Sequence, residues 1–158
     1  MRTTRRRFLT LAAAGVAGAA AAPALWALLG RPDSAGPPEI RYGVDRCQAC
    51  GMLIADPRFA AAARVGERAR RYDDIGCLLR DAGDALAAQR AVAWVHDLPS
   101  ERWLEAPRAW YVRSAALRTP MGSGLAAYAD RDTARAAHLT APVQSFTDLL
   151  AVRHEVTS

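Results

Sequence analysis

Residues 47–52 read Cys-Gln-Ala-Cys-Gly-Met and bring three sulfur atoms into one short segment. Two thiols three positions apart can converge on one metal ion, and Gly51 lets the backbone turn tightly behind them. Met52 adds a thioether. Thiolate and thioether are soft donors, a mixture that favours Cu(I) over hard ions such as Mg2+ or Ca2+. Taken alone, Cys-x-x-Cys fits a disulfide or a redox pair as well as half of a zinc site.

Three other residues bear on that choice. Cys77 makes the cysteine count odd, so one disulfide would leave a thiol over. It falls near the start of an expected helix, where the dipole helps stabilise a thiolate, although a small buried apolar side chain explains it equally well. His96 closes an expected strand beside Asp97, whose carboxylate could accept the second ring N–H and orient it. Met121 sits in Pro-Met-Gly-Ser-Gly. Methionines usually pack into cores, but a glycine-rich turn offers little regular packing, and a thioether exposed to oxidants is an odd use of the residue.

The remaining chemistry-bearing residues have plainer readings. Helix capping accounts for Asp73-Asp74. Trp94, Trp103 and Trp110 read as core or rim, and His138 and His154 lie in expected helices without a convergent partner. The chain has no G-x-S-x-G, phosphate loop, G-x-G-x-x-G or H-E-x-x-H pattern.

The elements that must position these residues form an α+β pattern. Leu53-Ile54 and Phe59–Val65 are expected to pair as a hairpin around Asp56-Pro57, a turn signal. Arg70–Tyr72 is a second extended piece. Asp73 or Asp74 then caps a helix over Ile75–Gln89, where Ile75, Leu78, Leu79, Ala82 and Leu86 recur at helical spacing. Val92–Val95 is a strand ending at His96-Asp97. A similar order returns: strand Trp110–Val112, the turn at 120–124 leading into Leu125–Ala129, a helix Ala134–Leu139 capped by Asp132-Thr133, and strand Val143–Phe146. Thr147 or Asp148 opens a last helix through Val152. The expectation is two small β-β-α-β-type halves in one compact domain over residues 40–158. Residues 31–39 form a linker, since three prolines and a glycine forbid a regular element.

With 158 residues the chain suits one domain, not a large barrel or a multidomain machine. Its 51% hydrophobic and 23% charged residues are a globular balance. The net charge of +5 comes from arginine alone, since lysine is absent. Arg2, Arg5, Arg6 and Arg7 supply most of the excess. Beyond residue 24, 17 arginines face 16 acids, so a phosphate-attracting surface for nucleic acid loses its main support. Those four arginines precede an uncharged run over residues 8–30, the layout of an export signal. Paired arginines ahead of Phe8-Leu9 resemble a twin-arginine signal. Ala22-Pro23-Ala24 offers a small-residue cleavage site, yet the run is also long enough for an N-terminal anchor, which needs about 20 residues. Residues 1–30 are therefore an export signal or a membrane anchor, and the expected location is the periplasm, soluble or held at the inner membrane.

Five short segments appear in an order that resembles the NosL family: Cys-Gly-Met-Leu-Ile at 50–54, Tyr-Asp-Asp-Ile-Gly-Cys-Leu-Leu at 72–79, Val-His-Asp at 95–97, Ala-Trp-Tyr-Val at 109–112 and Met-Gly-Ser-Gly at 121–124. The resemblance spans roughly Cys47 to Leu150. It implies a periplasmic or membrane-attached Cu(I) chaperone for nitrous-oxide reductase maturation, with a fold related to organomercurial lyase. It carries Cys50, Met52 and, foremost, Met121 over as copper ligands. Two departures stand out. Many members are lipoproteins, whereas no cysteine precedes Cys47, and a frequent His-Gly-Gly is His138-Leu139-Thr140 here.

The resulting expectation is a non-enzymatic periplasmic metallochaperone. Its Cu(I) site draws on Met121, Cys50, Met52, Cys47, Cys77 and His96, and it receives copper from a donor or membrane assembly partner for an apo-metalloenzyme, nitrous-oxide reductase foremost. Two rivals use the same cysteines: a thiol-dependent enzyme with redox or organomercurial-cleaving activity, and a disulfide-stabilised partner-binding domain.

Overall fold

The computed structural model describes residues 36–153. The expected leader at 1–30, His154 and all but the last four residues of the expected linker lie outside them. Strand β1 (Ala61–Val65) continues the run Ala60–Ala63, in which every side chain is fully buried. Burial on both faces suits a central strand, and alanine's small side chain lets a helix lie close across it. Residues Arg68–Tyr72 form β2, joined to β1 by a two-residue turn in which Gly66 has φ +58°. This is the real hairpin of the region. The one expected around Asp56-Pro57 does not form: Asp56 accepts the N–H of Arg58 and Pro57 starts a single 3-10 turn, Pro57–Phe59. An Asp-Pro pair starts either kind of turn equally well. Leu53 and Ile54 pair backward instead, through an Arg46–Leu53 bridge and bonds from Gly43 N–H to Ile54 O and from Ile54 N–H to Asp45 O.

Helix α1 (Ile75–Ala87) is capped by Asp74 and buries Ile75, Cys77, Leu78, Leu79, Ala82 and Leu86, packing across β1 and β3 (Ala91–His96). It ends short of the expected Gln89, whose φ of +54° is incompatible with a continuing helix. A short strand not expected from the sequence, β4 (Trp103–Glu105), follows at the sheet edge.

The second half runs β5 (Trp110–Arg113), β6 (Leu125–Tyr128), α2 (Arg131–Ala137) and β7 (Val143–Gln144), then α3 (Phe146–Ala151). Its caps fall earlier than expected. Asp130 caps α2 in place of Asp132 or Thr133, and Ser145 caps α3 in a reciprocal box with Asp148. Both sheets are antiparallel, in orders β2-β1-β3-β4 and β6-β5-β7. The α+β class and the two β-β-α-β halves are therefore as expected. One buried cluster draws on both halves, including Ile54, Leu78, Val95, Tyr111, Leu125 and Leu149. The sheets also meet at Asp97, whose carboxylate accepts the Ala129 N–H at 2.9 Å, and at Leu98, whose N–H donates to Ala127 O at 2.9 Å. No helix among the described residues is long and apolar enough to cross a membrane.

Candidate metal centre

The loop from Cys47 to Met52 is closed by its own backbone. Cys47 N–H donates to Met52 O at 2.8 Å and Gly51 N–H to Cys47 O at 2.9 Å. Gly51 sits at φ +76°, a conformation that L side chains rarely adopt. Gln48 N–H donates to Arg71 O at 2.8 Å, which fastens the loop to the end of β2. Just beyond that point the chain passes through Tyr72, Asp73 and Asp74 into α1, so that Cys77 lies in the helix's first turn.

This arrangement brings Cys47, Cys50, Asp73 and Cys77 together: one donor atom from each lies within 4.8 Å of all the others. Cys47, Asp73 and Cys77 are buried, and Cys50 is half-buried. The Cys50 thiol donates to the Asp73 carboxylate at 3.4 Å, and the Arg80 guanidinium donates to Cys77 Sγ at 3.3 Å. All three cysteines are free thiols. Their protons are shared unevenly. Cys47 is lowered to about 6, chiefly because the Cys77 thiol donates to it, with burial opposing. Cys77 is correspondingly raised, first by donating to Cys47 and then by burial. Burial raises Cys50. The resting set therefore holds one favoured thiolate, at Cys47, solvated by its neighbours. A soft cation could replace the shared protons and draw on all three sulfurs, with the Arg80 guanidinium offsetting part of the negative charge.

From the sequence Asp73 is read only as a candidate helix cap, not as a donor to the metal site. Its signal was present, since a helix start uses one capping carboxylate and here two acids stand in a row. Asp74 takes the cap, accepting the Gly76 N–H at 2.7 Å, which leaves Asp73 for the thiols.

The structure places the other expected donors less uniformly. Met121 belongs to a loop docked on the start of α1, where its N–H donates to Asp74 at 3.0 Å, and the residue is 42% exposed. Met52 leaves the thiol loop and is 59% exposed. His96 is not part of the cluster. It is buried, its ring lies 3.7 Å from that of Trp103, Nδ1 faces Ala60 O at 3.3 Å and Nε2 faces Tyr42 Oη at 3.3 Å. A carbonyl can only accept, so Nδ1 carries the proton and Nε2 takes the tyrosine's. Burial holds the His96 pKa below its ordinary value. Asp97 does not orient the ring, because its carboxylate is taken by Ser100 Oγ and the Ala129 N–H. Nor does His138 lie within a helix. It is the residue that ends α2, with Nε2 2.7 Å from Tyr128 Oη.

Comparison with known proteins bears directly on this geometry. The NosL family model matches residues 42–140, a stretch containing all four clustered residues and Met121. The fold is similar to the crystal structure of the copper chaperone NosL from Shewanella denitrificans, with a TM-score of 0.53 and 18% identity over 70% of this chain and 95% of that one. No curated protein sequence matches the chain. With the family model covering well over half its length, the chain belongs to the NosL family.

Proposed function

We propose that this protein is a periplasmic carrier of Cu(I), loading the ion on the thiolates of Cys47, Cys50 and Cys77 and using the thioethers of Met121 and Met52 as its outward-facing donors. The observation that carries the reading is the convergence of three thiols, one of them half-exposed, from a loop and a helix start 30 residues apart. Family membership and the solved relative, itself described as a copper chaperone, support a carrier over an enzyme. Transfer needs no bond-making chemistry beyond ligand exchange: a donor from the client displaces an exposed ligand while the buried ones still hold the ion. The client proposed is an apo-metalloenzyme, nitrous-oxide reductase foremost, with copper supplied by a membrane assembly partner.

Anaerobic titration of the reduced protein with Cu(I) against a competing chelator tests this. One tightly bound Cu(I) per chain is expected, and tight Zn2+ without any Cu(I) would overturn it. Asp73 favours a second reading of the buried set. Three thiolates and a carboxylate make a closed four-coordinate environment of the kind Zn2+ takes, whereas Cu(I) prefers sulfur alone. Metal analysis after exposure to both ions decides which occupies it.

A further inference from the structure

The Asp74 carboxylate is fully buried and does more than cap α1. Oδ1 accepts from the Gly76 N–H at 2.7 Å and from the Ser123 hydroxyl at 2.5 Å, while Oδ2 accepts from the Met121 N–H at 3.0 Å. One side chain thus holds both the helix start and the Met121 loop: Oδ1 serves Gly76 and Ser123, and Oδ2 serves Met121 alone. The fit between them is close. A Cβ at Gly76 would stand 2.6 Å from Ser123 Cβ, so the loop can approach only because residue 76 is glycine. The loop itself is tied by Gly122 N–H to Thr119 O at 3.0 Å and by Gly124 N–H to Thr119 Oγ1 at 3.2 Å. A Cβ at Gly124 would stand 2.6 Å from Ser114 O, so this end too admits no side chain. The loop behaves as a preformed piece, and Asp74 receives it between two members of the thiol set, Asp73 and Cys77.

We propose that Asp74 is the positioning residue that joins the two donor sets, holding Met121 of the second half against the helix start that carries Asp73 and Cys77 so that thioether and thiolates act on one Cu(I). The inference rests on the copper-carrier reading. Its physical content is preorganisation: a loop already held in place loses no freedom when the metal arrives, whereas a released loop must be ordered at the expense of binding.

Asp74→Asn separates the two jobs of the side chain. The amide keeps an acceptor oxygen for the Gly76 N–H but presents an NH2 where Oδ2 received Met121. Amide exchange by NMR and Cu(I) competition on the full reduced chain are the readouts. In Asp74→Asn the Met121 amide should exchange at least about tenfold faster while Gly76 stays protected, and Cu(I) affinity should fall about tenfold, the scale of one hydrogen bond to a charged group. Met121→Leu should lower affinity in the wild-type background and add nothing in Asp74→Asn. An unchanged affinity for Met121→Leu in the wild-type background would remove Met121 from the copper reading itself. A drop there that repeats in full on top of Asp74→Asn would leave that reading standing and overturn the positioning role. If Asp74→Asn does not fold, Ser123→Ala takes away a donor from the loop side and leaves the Gly76 bond alone. Its effect should overlap that of Met121→Leu in the same way, and full additivity would overturn the proposal.

Discussion

The two halves of this protein are built alike and equipped differently. In each, the first strand lies between the other two, and a helix connects the outer strands. In each, the second strand ends in a tyrosine, one residue intervenes, and an aspartate caps the helix: Tyr72-Asp73-Asp74 in the first, Tyr128-Ala129-Asp130 in the second. One tyrosine hydroxyl finds its partner within the helix that follows, Asp81 at 2.7 Å, and the other at the residue that ends it, His138 at 2.7 Å. The residue between tyrosine and cap is Asp73 in one half and Ala129 in the other. The residue three beyond the cap is Cys77 in one and Thr133 in the other. A shared supersecondary unit therefore becomes a candidate metal site through two side chains, once the Cys47–Met52 loop is laid against the end of β2. The second half lacks those side chains and contributes the Met121 loop instead.

The comparison is sharpest where the halves differ in burial. Helix α1 has 13 residues and buries most of one face, whereas α2 has 7 and buries Ala134 alone. Leu78→Ala, at a fully buried position, is expected to destabilise the fold by about 2–5 kcal/mol. Urea unfolding measures this, and a loss below about 1 kcal/mol would mean that α1 does not anchor the shared core. The next largest effect comes from making the first half resemble the second. Asp73→Ala with Cys77→Thr should keep the circular dichroism spectrum and lower metal affinity by at least about a hundredfold, the upper end of what even outer-sphere partners are worth. Undiminished binding would show that the metal sits elsewhere.

A smaller effect tests the caps. Asp130→Ala removes an acceptor for the Thr133 N–H on an exposed helix and should cost about 1 kcal/mol without changing metal affinity. At the matching position in the first half, Asp74→Asn keeps its cap and is expected to weaken copper binding. If the two substitutions affect copper equally, the division of labour between the halves is wrong.

How much of this was legible in the sequence follows the same division. The face of α1, its start near Asp73-Asp74 and the returning β-β-α-β order could be read because periodicity and capping are local. What escaped depended on distant partners. Strand β4 is three residues at a sheet edge, too short for a pattern. Asp56-Pro57 was a sound turn signal attached to the wrong turn, because residues 53–54 found their register with 43–46. Ser145 was passed over as a cap in favour of Thr147 or Asp148, although Asp148 is the reciprocal member of the box that Ser145 opens. At the site, the three cysteines were visible as residue types. Their meeting with Asp73 was not, since it depends on the bond from Gln48 to the end of β2. His96 depends on distant partners too: it lies outside the thiol cluster, and Trp103, on the unexpected strand, covers its ring.

The smallest effect expected concerns that histidine and its counterpart. Each half holds a histidine against a tyrosine, His96 with Tyr42 and His138 with Tyr128. His96 is buried, and desolvation holds its pKa below the ordinary 6.5, with the Ala60 carbonyl and then Glu101 opposing. Because the folded chain resists this proton more than the unfolded chain does, the unfolded state binds it first as pH falls. The stabilisation is fully present above pH 6.5, declines as pH drops below that value, and becomes constant once the folded His96 is itself charged. Cys47, lowered to about 6, titrates nearby and in the same direction, so the wild-type slope alone cannot assign the effect. His96→Gln can, because it keeps a neutral polar side chain in the pocket. Stability of the metal-free protein between pH 7 and about 5 should fall less steeply in His96→Gln than in wild type. Parallel curves for wild type and His96→Gln would mean that the imidazole is charged as easily folded as unfolded, and that the cover supplied by Trp103 and Tyr42 does not keep water from the ring.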